Sequence, residues 1–87
     1  MTFEILAKIV ADDFLDTMKE FEFDTFEEMA NCYYWDSKDI KEEVDAIIRA
    51  KTNDVAYINE WDGNTIHIGD EMMDYRKFAR MWRKYLK

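Results

Sequence analysis

Side chains that could perform nucleophilic or metal chemistry are scarce in this sequence. Cys32, Ser37 and His67 are each the only residue of their type. A nucleophile needs a neighbouring base, and a structural zinc site takes four ligands, mostly from Cys and His. We therefore expect no catalytic residue, no cofactor and no bound metal. We assign Ser37 to a helix cap and His67 to the polar face of a strand.

Two aspartates one helical turn apart form the one pattern that could hold a divalent ion. The stretch "DDFLD" at residues 12–16 has the spacing of the DDxxD motif of prenyl-diphosphate enzymes, and carboxylates are the ligands that Mg²⁺ prefers. Those enzymes surround their substrate with a large helical cavity, for which a chain of 87 residues is far too small. Gly63 and Gly69 also lack the frame of a phosphate-binding loop. We therefore predict that the protein is not an enzyme.

Negative charge is concentrated in the first part of the chain. The net charge is −8, and residues 1–36 hold ten acidic residues against two lysines. A dense acidic surface repels nucleic acid and steers a basic partner surface towards itself. We assign the acidic run, residues 12–28, to partner binding through Asp12, Asp13, Asp16, Glu20, Glu22, Asp24, Glu27 and Glu28.

Positive charge is concentrated at the other end, where six basic residues lie within residues 76–87. Helical spacing places four of them on one side, the basic face: Arg76, Arg80, Arg83 and Lys87. Such a face is a common nucleic-acid footprint, although a pI near 4.5 opposes binding to DNA. It supports an alternative hypothesis of a nucleic-acid-binding or transcription-regulating domain. The basic face can also be solvated or paired with the acidic first helix.

Aromatic residues at two turns are candidate anchors for a partner. Tyr33, Tyr34 and Trp35 follow one another between two helices, where three rings cannot all point inward. Trp61 directly precedes the turn signal Asp62-Gly63. Because aromatic residues with a polar group are enriched at binding hot spots, we assign Tyr34, Trp35 and Trp61 to the partner-binding surface.

The acidic run must be positioned by two helices. Apolar residues recur every three to four positions over residues 3–20, which predicts a first helix with Thr2 as its N-cap. A short second helix ends at about Cys32. Two capping boxes fit its start, namely Asp24 with Glu27 and Thr25 with Glu28.

Two further helices flank a region of strands. Asp36 or Ser37 caps the third helix, and Asn53 is a suitable C-terminal stop because Asn tolerates the left-handed conformation. The last helix is predicted to begin at an Asp70 cap and to run to the end of the chain.

Between the third and last helices the apolar period changes to two, which predicts a β-hairpin. A two-residue loop would pair Ile58 with His67 and mix both faces. A three-residue loop of residues 61–63, with Gly63 left-handed, would pair Ile58 with Ile66 and Ala56 with Ile68. We favour this register because it gives one uniformly apolar face.

The elements together predict a single α+β domain over residues 1–87. It has three N-terminal helices, one antiparallel two-stranded hairpin and one C-terminal helix. A lone hairpin is marginally stable, so it must pack on the helices or pair its edge with another chain, and a structural or assembly protein is a further alternative. One cysteine, no signal-peptide pattern and no apolar run of membrane-spanning length lead us to expect a cytoplasmic monomer or dimer.

The general character of the whole chain resembles the small inhibitor proteins that phages and mobile elements carry against CRISPR or restriction nucleases. The chain is short, acidic and poor in cysteine, and it contains the acidic run. The resemblance implies a phage protein acting in the host cytoplasm, whose partner is a basic protein surface such as the DNA-binding groove of a nuclease. It implies no direct contact with nucleic acid and no membrane. The basic face departs from a thorough DNA mimic, whose charge is more uniform.

Overall fold

The computed structural model describes residues 1–86, which form four helices and one three-stranded antiparallel sheet. The elements in chain order are α1 (Phe3–Glu20), α2 (Phe26–Cys32), α3 (Ser37–Thr52), β1 (Ala56–Ile58), β2 (Thr65–Ile68), β3 (Glu71–Asp74) and α4 (Tyr75–Lys84). The predicted α+β class is confirmed. The two-stranded sheet is wrong, because β3 adds a third strand in the order β1-β2-β3.

The third strand occupies residues that we expected to form the start of the last helix. Ile68 pairs with Glu71, so Gly69 and Asp70 form a two-residue hairpin loop, and Gly69 has a φ of +57°. Glycine at the first position is typical of such a loop. The N-cap of α4 is therefore Asp74, whose carboxylate accepts a hydrogen bond from the Arg76 N–H at 3.0 Å. The prediction that Asp70 caps this helix is wrong.

The other helices begin and end as the sequence predicts. Thr2, Thr25 and Asp36 each accept a hydrogen bond from the backbone N–H three residues later, so they cap α1, α2 and α3. Thr25 is thus the cap of α2, but the capping box with Glu28 is not completed, because the Glu28 carboxylate accepts from the Asp24 N–H and not from the N–H of Thr25. Asn53 ends α3 in the left-handed conformation, with φ 52° and ψ 48°.

The register between β1 and β2 is the one that we favoured. Ala56 pairs with Ile68 and Ile58 pairs with Ile66, and all four side chains are buried. The last hydrogen bond between the two strands runs from the Asn59 N–H to the Thr65 carbonyl oxygen at 2.8 Å. The loop therefore spans residues 60–64 and is wider than the predicted three residues. Gly63 is left-handed, as predicted, with a φ of +64°.

The core lies between the inner face of the sheet and the helices. Trp82 of α4 is fully buried, and its ring centroid is 5.2 Å from that of Phe14 in α1 and 5.4 Å from that of Phe26 in α2. Aromatic pairs at this spacing add about 0.5–1.5 kcal/mol beyond the area that they bury. This aromatic cluster joins α1, α2 and α4.

Asp45 of α3 fixes the hairpin to the helices. Its Oδ1 accepts a hydrogen bond from the Ile58 N–H at 2.8 Å, and its Oδ2 pairs with the Arg49 Nε at 2.9 Å. The Thr52 hydroxyl accepts from the Ala56 N–H at 2.9 Å in the same way. Side chains of α3 therefore accept hydrogen bonds from the two N–H groups of β1 that face away from β2. These donors of the edge strand are then not free to pair with a strand of another chain.

We expect Asp45→Ala to lower the free energy of unfolding by about 1–3 kcal/mol, because the Ile58 N–H loses its partner in a half-buried position. Glu60→Ala is the matched control, since Glu60 also pairs with Arg49 but is 82% exposed. Its effect should stay within about 0.5 kcal/mol. Urea unfolding followed by circular dichroism measures both. Equal losses in the two variants would contradict the anchoring role of Asp45.

Candidate protein-binding surface

The acidic run lies on the second half of α1, the turn after it and the first turns of α2. Seven of its eight carboxyl residues are exposed, and Asp13 is half-buried. The apolar side of α1 faces the core through Leu6, Val10 and Phe14. Because that side is buried, the carboxylates are left on the solvent side, as the sequence predicts.

The carboxylates of the acidic run have no basic partner within the described residues 1–86. Every ion pair within residues 1–86 involves Arg49 or Arg76 and none involves the acidic run. Helices α1 and α4 do pack together, but through other contacts. The Tyr85 hydroxyl donates to the Glu4 carboxylate at 2.8 Å, and the Lys8 Nζ lies 5.3 Å from the Tyr85 ring centroid. The possible pairing of the basic face with α1 is therefore not formed as ion pairs in residues 1–86.

Both helices of the acidic run end on a left-handed residue that is not glycine. Glu22 after α1 has a φ of 61°, and Tyr34 after α2 has a φ of 58°. Each end is closed by a hydrogen bond from the next residue to a carbonyl five positions earlier, at 2.8 Å for Phe23 and 2.9 Å for Trp35. Glycine is the usual residue at this position, and another residue costs about 1–2 kcal/mol there. Tyr34 thus adopts a backbone conformation that is unfavourable for a residue with a side chain.

The three rings of the aromatic triplet differ in how much of their surface is exposed. The Tyr33 and Trp35 rings stack with centroids 5.1 Å apart, and the Trp35 centroid is 6.3 Å from that of Phe14 in the core. Tyr34 is 91% exposed. Tyr33 keeps 42% of its surface exposed although it stacks on Trp35. The triplet therefore leaves more at the surface than the one ring that the sequence predicts.

Trp61 is also at the surface, 98% exposed, within the wide hairpin loop. The loop is held by its own polar groups, since Asp62 accepts hydrogen bonds from the Asn64 N–H at 2.9 Å and from the Thr65 hydroxyl at 3.2 Å. The first of these bonds is the main reason that the pKa of Asp62 is lowered. Glu60 of the loop forms an ion pair with Arg49 of α3 at 3.6 Å. The structure thus does not join Trp61 to the acidic run, which α1 and α2 carry.

His67 lies on the outer face of the sheet, where the sequence places it. Its ring stacks on that of Tyr57, with centroids 4.9 Å apart and planes 7° apart, and the Arg49 guanidinium carbon is 5.4 Å from the Tyr57 centroid. The Nε2 of His67 is buried and has no hydrogen-bond partner among residues 1–86.

Residues 1–86 hold neither a cluster of metal ligands nor a membrane-spanning helix. Residues 1–86 contain no group of three or more His, Cys, Asp or Glu side chains placed to hold a metal ion. None of the helices in that range is long and apolar enough to cross a bilayer. The absence of a metal, of a cofactor and of catalysis stays a prediction.

The structure places one further basic residue, Lys41, close to the basic face, which the sequence analysis did not identify. Arg76, Arg80 and Arg83 are exposed on α4, and Lys87 lies outside the described residues. Lys41 of α3 comes close to them, because it and Arg83 line one cleft between α3 and α4. Its position four residues after the start of α3, at the border of the apolar stripe, was the only available signal. Sequence spacing alone does not show which other helix faces it.

Comparison with protein-family models, with curated proteins and with solved structures gave no match for this chain.

We expect Tyr34→Gly to raise the free energy of unfolding by about 1 kcal/mol, because glycine adopts the left-handed conformation without the steric cost of a side chain. Tyr34→Ala is the control, since it removes the same ring but keeps the strained backbone, and its stability should stay within about 0.5 kcal/mol of the parent protein. Urea unfolding measures both. A Tyr34→Gly variant less stable than the parent would show that the ring itself stabilises the fold.

Proposed function

We propose that this protein is a non-catalytic binding module that inhibits a nucleic-acid-processing protein by occupying a basic groove in it. The observation that carries the proposal is the acidic run: seven exposed carboxyl residues and one half-buried one, with no ion pair to residues 1–86. The resemblance to anti-CRISPR and anti-restriction inhibitors supports the same function. The proposed site of action is the cytoplasm of the host cell.

Unpaired carboxylates are suited to docking because no internal ion pair has to break. Each exposed pair contributes only about 0–1 kcal/mol, but eight of them can sum to a useful affinity and speed up encounter. Carboxylates one helical turn apart are about 5–6 Å apart, whereas DNA presents one charge per ~1.7 Å of its axis. The acidic run therefore competes for a groove as a sparse substitute for DNA and not as a copy of it.

Tyr34 is the proposed anchor beside these charges. It is the exposed ring nearest in sequence to the end of α2, and it occupies a backbone conformation that favours glycine. An unfavourable conformation at an exposed residue motivates a hypothesis of function. Trp35 supports this anchor from the core side by stacking on Tyr33. Trp61 belongs to a second contact area in the hairpin loop.

A nucleic-acid-binding domain is the second candidate function, supported by the exposure of Arg76, Arg80 and Arg83 on α4. A gel-shift assay at low salt separates the two candidates. The inhibitor proposal predicts no shift of double-stranded DNA by the protein alone. A shift that is lost when these arginines are replaced by glutamine would favour the second candidate.

We expect the triple variant Asp12→Asn, Asp16→Asn and Glu20→Gln to bind its target nuclease about tenfold more weakly. Three pairs worth about 0.5 kcal/mol each sum to roughly the 1.4 kcal/mol of a tenfold change. The measurement is inhibition of DNA cleavage and affinity by biolayer interferometry against a panel of CRISPR effectors and restriction nucleases. Affinity of the parent protein should fall about tenfold or more between 50 and 300 mM NaCl, because salt screens exposed charges.

The matched control for this variant removes the same charge elsewhere, through Glu43→Gln, Asp70→Asn and Glu71→Gln. These residues are exposed and lie outside the acidic run. The control variant should keep its affinity within about twofold of the parent protein. Equal losses in the two triple variants would mean that net charge, and not the acidic run, drives binding. Inhibition that survives loss of the acidic run unchanged would overturn the proposal.

A further inference from the structure

A cleft of about 370 Å³ opens between the start of α3 and the exposed side of α4. Its polar lining comes from Lys41, Arg76, Arg83, Ser37, Asn64 and Tyr75. Three of these side chains are cationic and none is a carboxylate, although the chain has twenty acidic residues. In a protein of net charge −8, this cleft is a local concentration of positive charge.

Aromatic rings hold two of the three cations. The Lys41 Nζ lies 5.4 Å from the Tyr75 ring centroid, and the Arg83 guanidinium carbon lies 4.8 Å from the Trp82 centroid and 5.2 Å from that of Phe26. A cation over a ring is positioned but keeps its full charge. Neither side chain forms an ion pair with a carboxylate of residues 1–86. Arg83 also lines a neighbouring cleft with Asp24 and Glu27, and Lys41 lines one with Asp45 and Glu60. Because neither cation lies within ion-pair distance of these carboxylates, its charge is available to a ligand.

The third cation, Arg76, forms the lip of the cleft. Its side chain is 87% exposed and lies 3.7 Å from the Asp74 carboxylate. An ion pair this exposed is weak, so an anionic ligand can replace Asp74 as the partner of the Arg76 guanidinium at little cost in free energy. Asp36 and Asp39 are the carboxylates nearest in sequence to Ser37. Each accepts a backbone hydrogen bond of the other at the start of α3, and neither lines the cleft.

We propose that this cleft binds the phosphate group of a phosphomonoester. A phosphomonoester carries about −1.5 to −2 charges at pH 7, which suits a cleft lined by three cations better than the single charge of a carboxylate or a phosphodiester does. Arginine binds phosphate oxygens through two parallel hydrogen bonds, and lysine acts on them as a point charge. Ile40 and Ala79 complete the lining with apolar surface for the organic part of the ligand. This site adjoins the acidic run at Arg83, but it does not depend on the proposed inhibitor function.

The test is a titration of the full-length protein with inorganic phosphate and with phenyl phosphate at constant ionic strength, followed by backbone amide NMR shifts. The expected result is a saturable change confined to the start of α3, Asn64 and α4, with phenyl phosphate binding more tightly than inorganic phosphate. Dimethyl phosphate, a monoanion, should bind at least tenfold more weakly. Changes that do not saturate, or that spread over the whole surface, would overturn the proposal.

Two variants with a control test the lining residues. Lys41→Gln should weaken phenyl phosphate binding about tenfold, and Arg76→Gln, at an exposed position where folding is not at risk, should weaken it at least threefold. Lys77→Gln removes the same charge from an exposed residue of α4 that does not line the cleft, and it should change the affinity less than twofold. An equal loss in Lys77→Gln would mean that only net charge attracts the anion, which contradicts a built site.

The origin of the phosphate group is decided by a pair of single-stranded oligonucleotides with and without a 5′-phosphate. Binding that requires the 5′-phosphate supports a monoester at the end of a nucleic-acid strand. Binding of phenyl phosphate but of neither oligonucleotide supports a small-molecule phosphate. Equal binding of both oligonucleotides would overturn the monoester assignment, because it would put a phosphodiester backbone in the cleft.

Discussion

The packing of Trp82 between Phe14 and Phe26 is the contact on which the rest of the structure depends. It joins α1, α2 and α4 through apolar surface, with ring centroids 5.2 and 5.4 Å from that of Trp82. Two oppositely charged parts of the chain are thereby held together without ion pairs between them in residues 1–86. Buried aromatic residues stabilise this junction, and the carboxylates of the acidic run form no ion pair with it in residues 1–86.

The charges of the molecule are consequently arranged as two separate surfaces. The acidic run covers the outer side of α1 and α2, while cations from α3 and α4 meet at a cleft that no carboxylate lines. Arg83 marks the border, since its guanidinium lies over Phe26 of α2 and also lines that cleft. A protein built in this way can present one surface to a basic protein groove and the other to an anion. The two proposals can therefore succeed or fail separately.

Much of the fold could be predicted because side-chain alternation and caps are local signals. The apolar face of Ala56, Ile58, Ile66 and Ile68 was sufficient to choose the register, since a slip of one residue would have exposed it. Strand β3 was missed because four residues are too few to show a period. Asp70, followed by apolar residues, also imitates a helix cap. The signal for the strand was Gly69-Asp70 as a two-residue loop, and its meaning depends on pairing with β2.

The candidate site was predictable in composition but not in arrangement. The exposure of the acidic run follows from the apolar stripe of α1, and the partial exposure of the triplet follows from geometry at a helix end. Which ring is most exposed depends on the left-handed backbone at Tyr34, a position where sequence rules expect glycine. The loop width around Trp61 and the convergence of Lys41 with α4 depend on tertiary contacts that spacing along the chain does not contain.

The central claim is that the acidic run serves a partner and does not stabilise the fold through internal ion pairs. The most direct test is the free energy of unfolding in urea at 50 and 500 mM NaCl. Salt weakens exposed attractions and repulsions alike. With a net charge of −8 and no ion pair of the acidic run in residues 1–86, we expect repulsion among the clustered carboxylates to be the larger of the two. The account therefore predicts that stability stays constant or rises with salt. A clear fall in stability at 500 mM NaCl that disappears in the Asp12→Asn, Asp16→Asn and Glu20→Gln variant would show that these carboxylates are paired within the folded chain, and it would contradict the account.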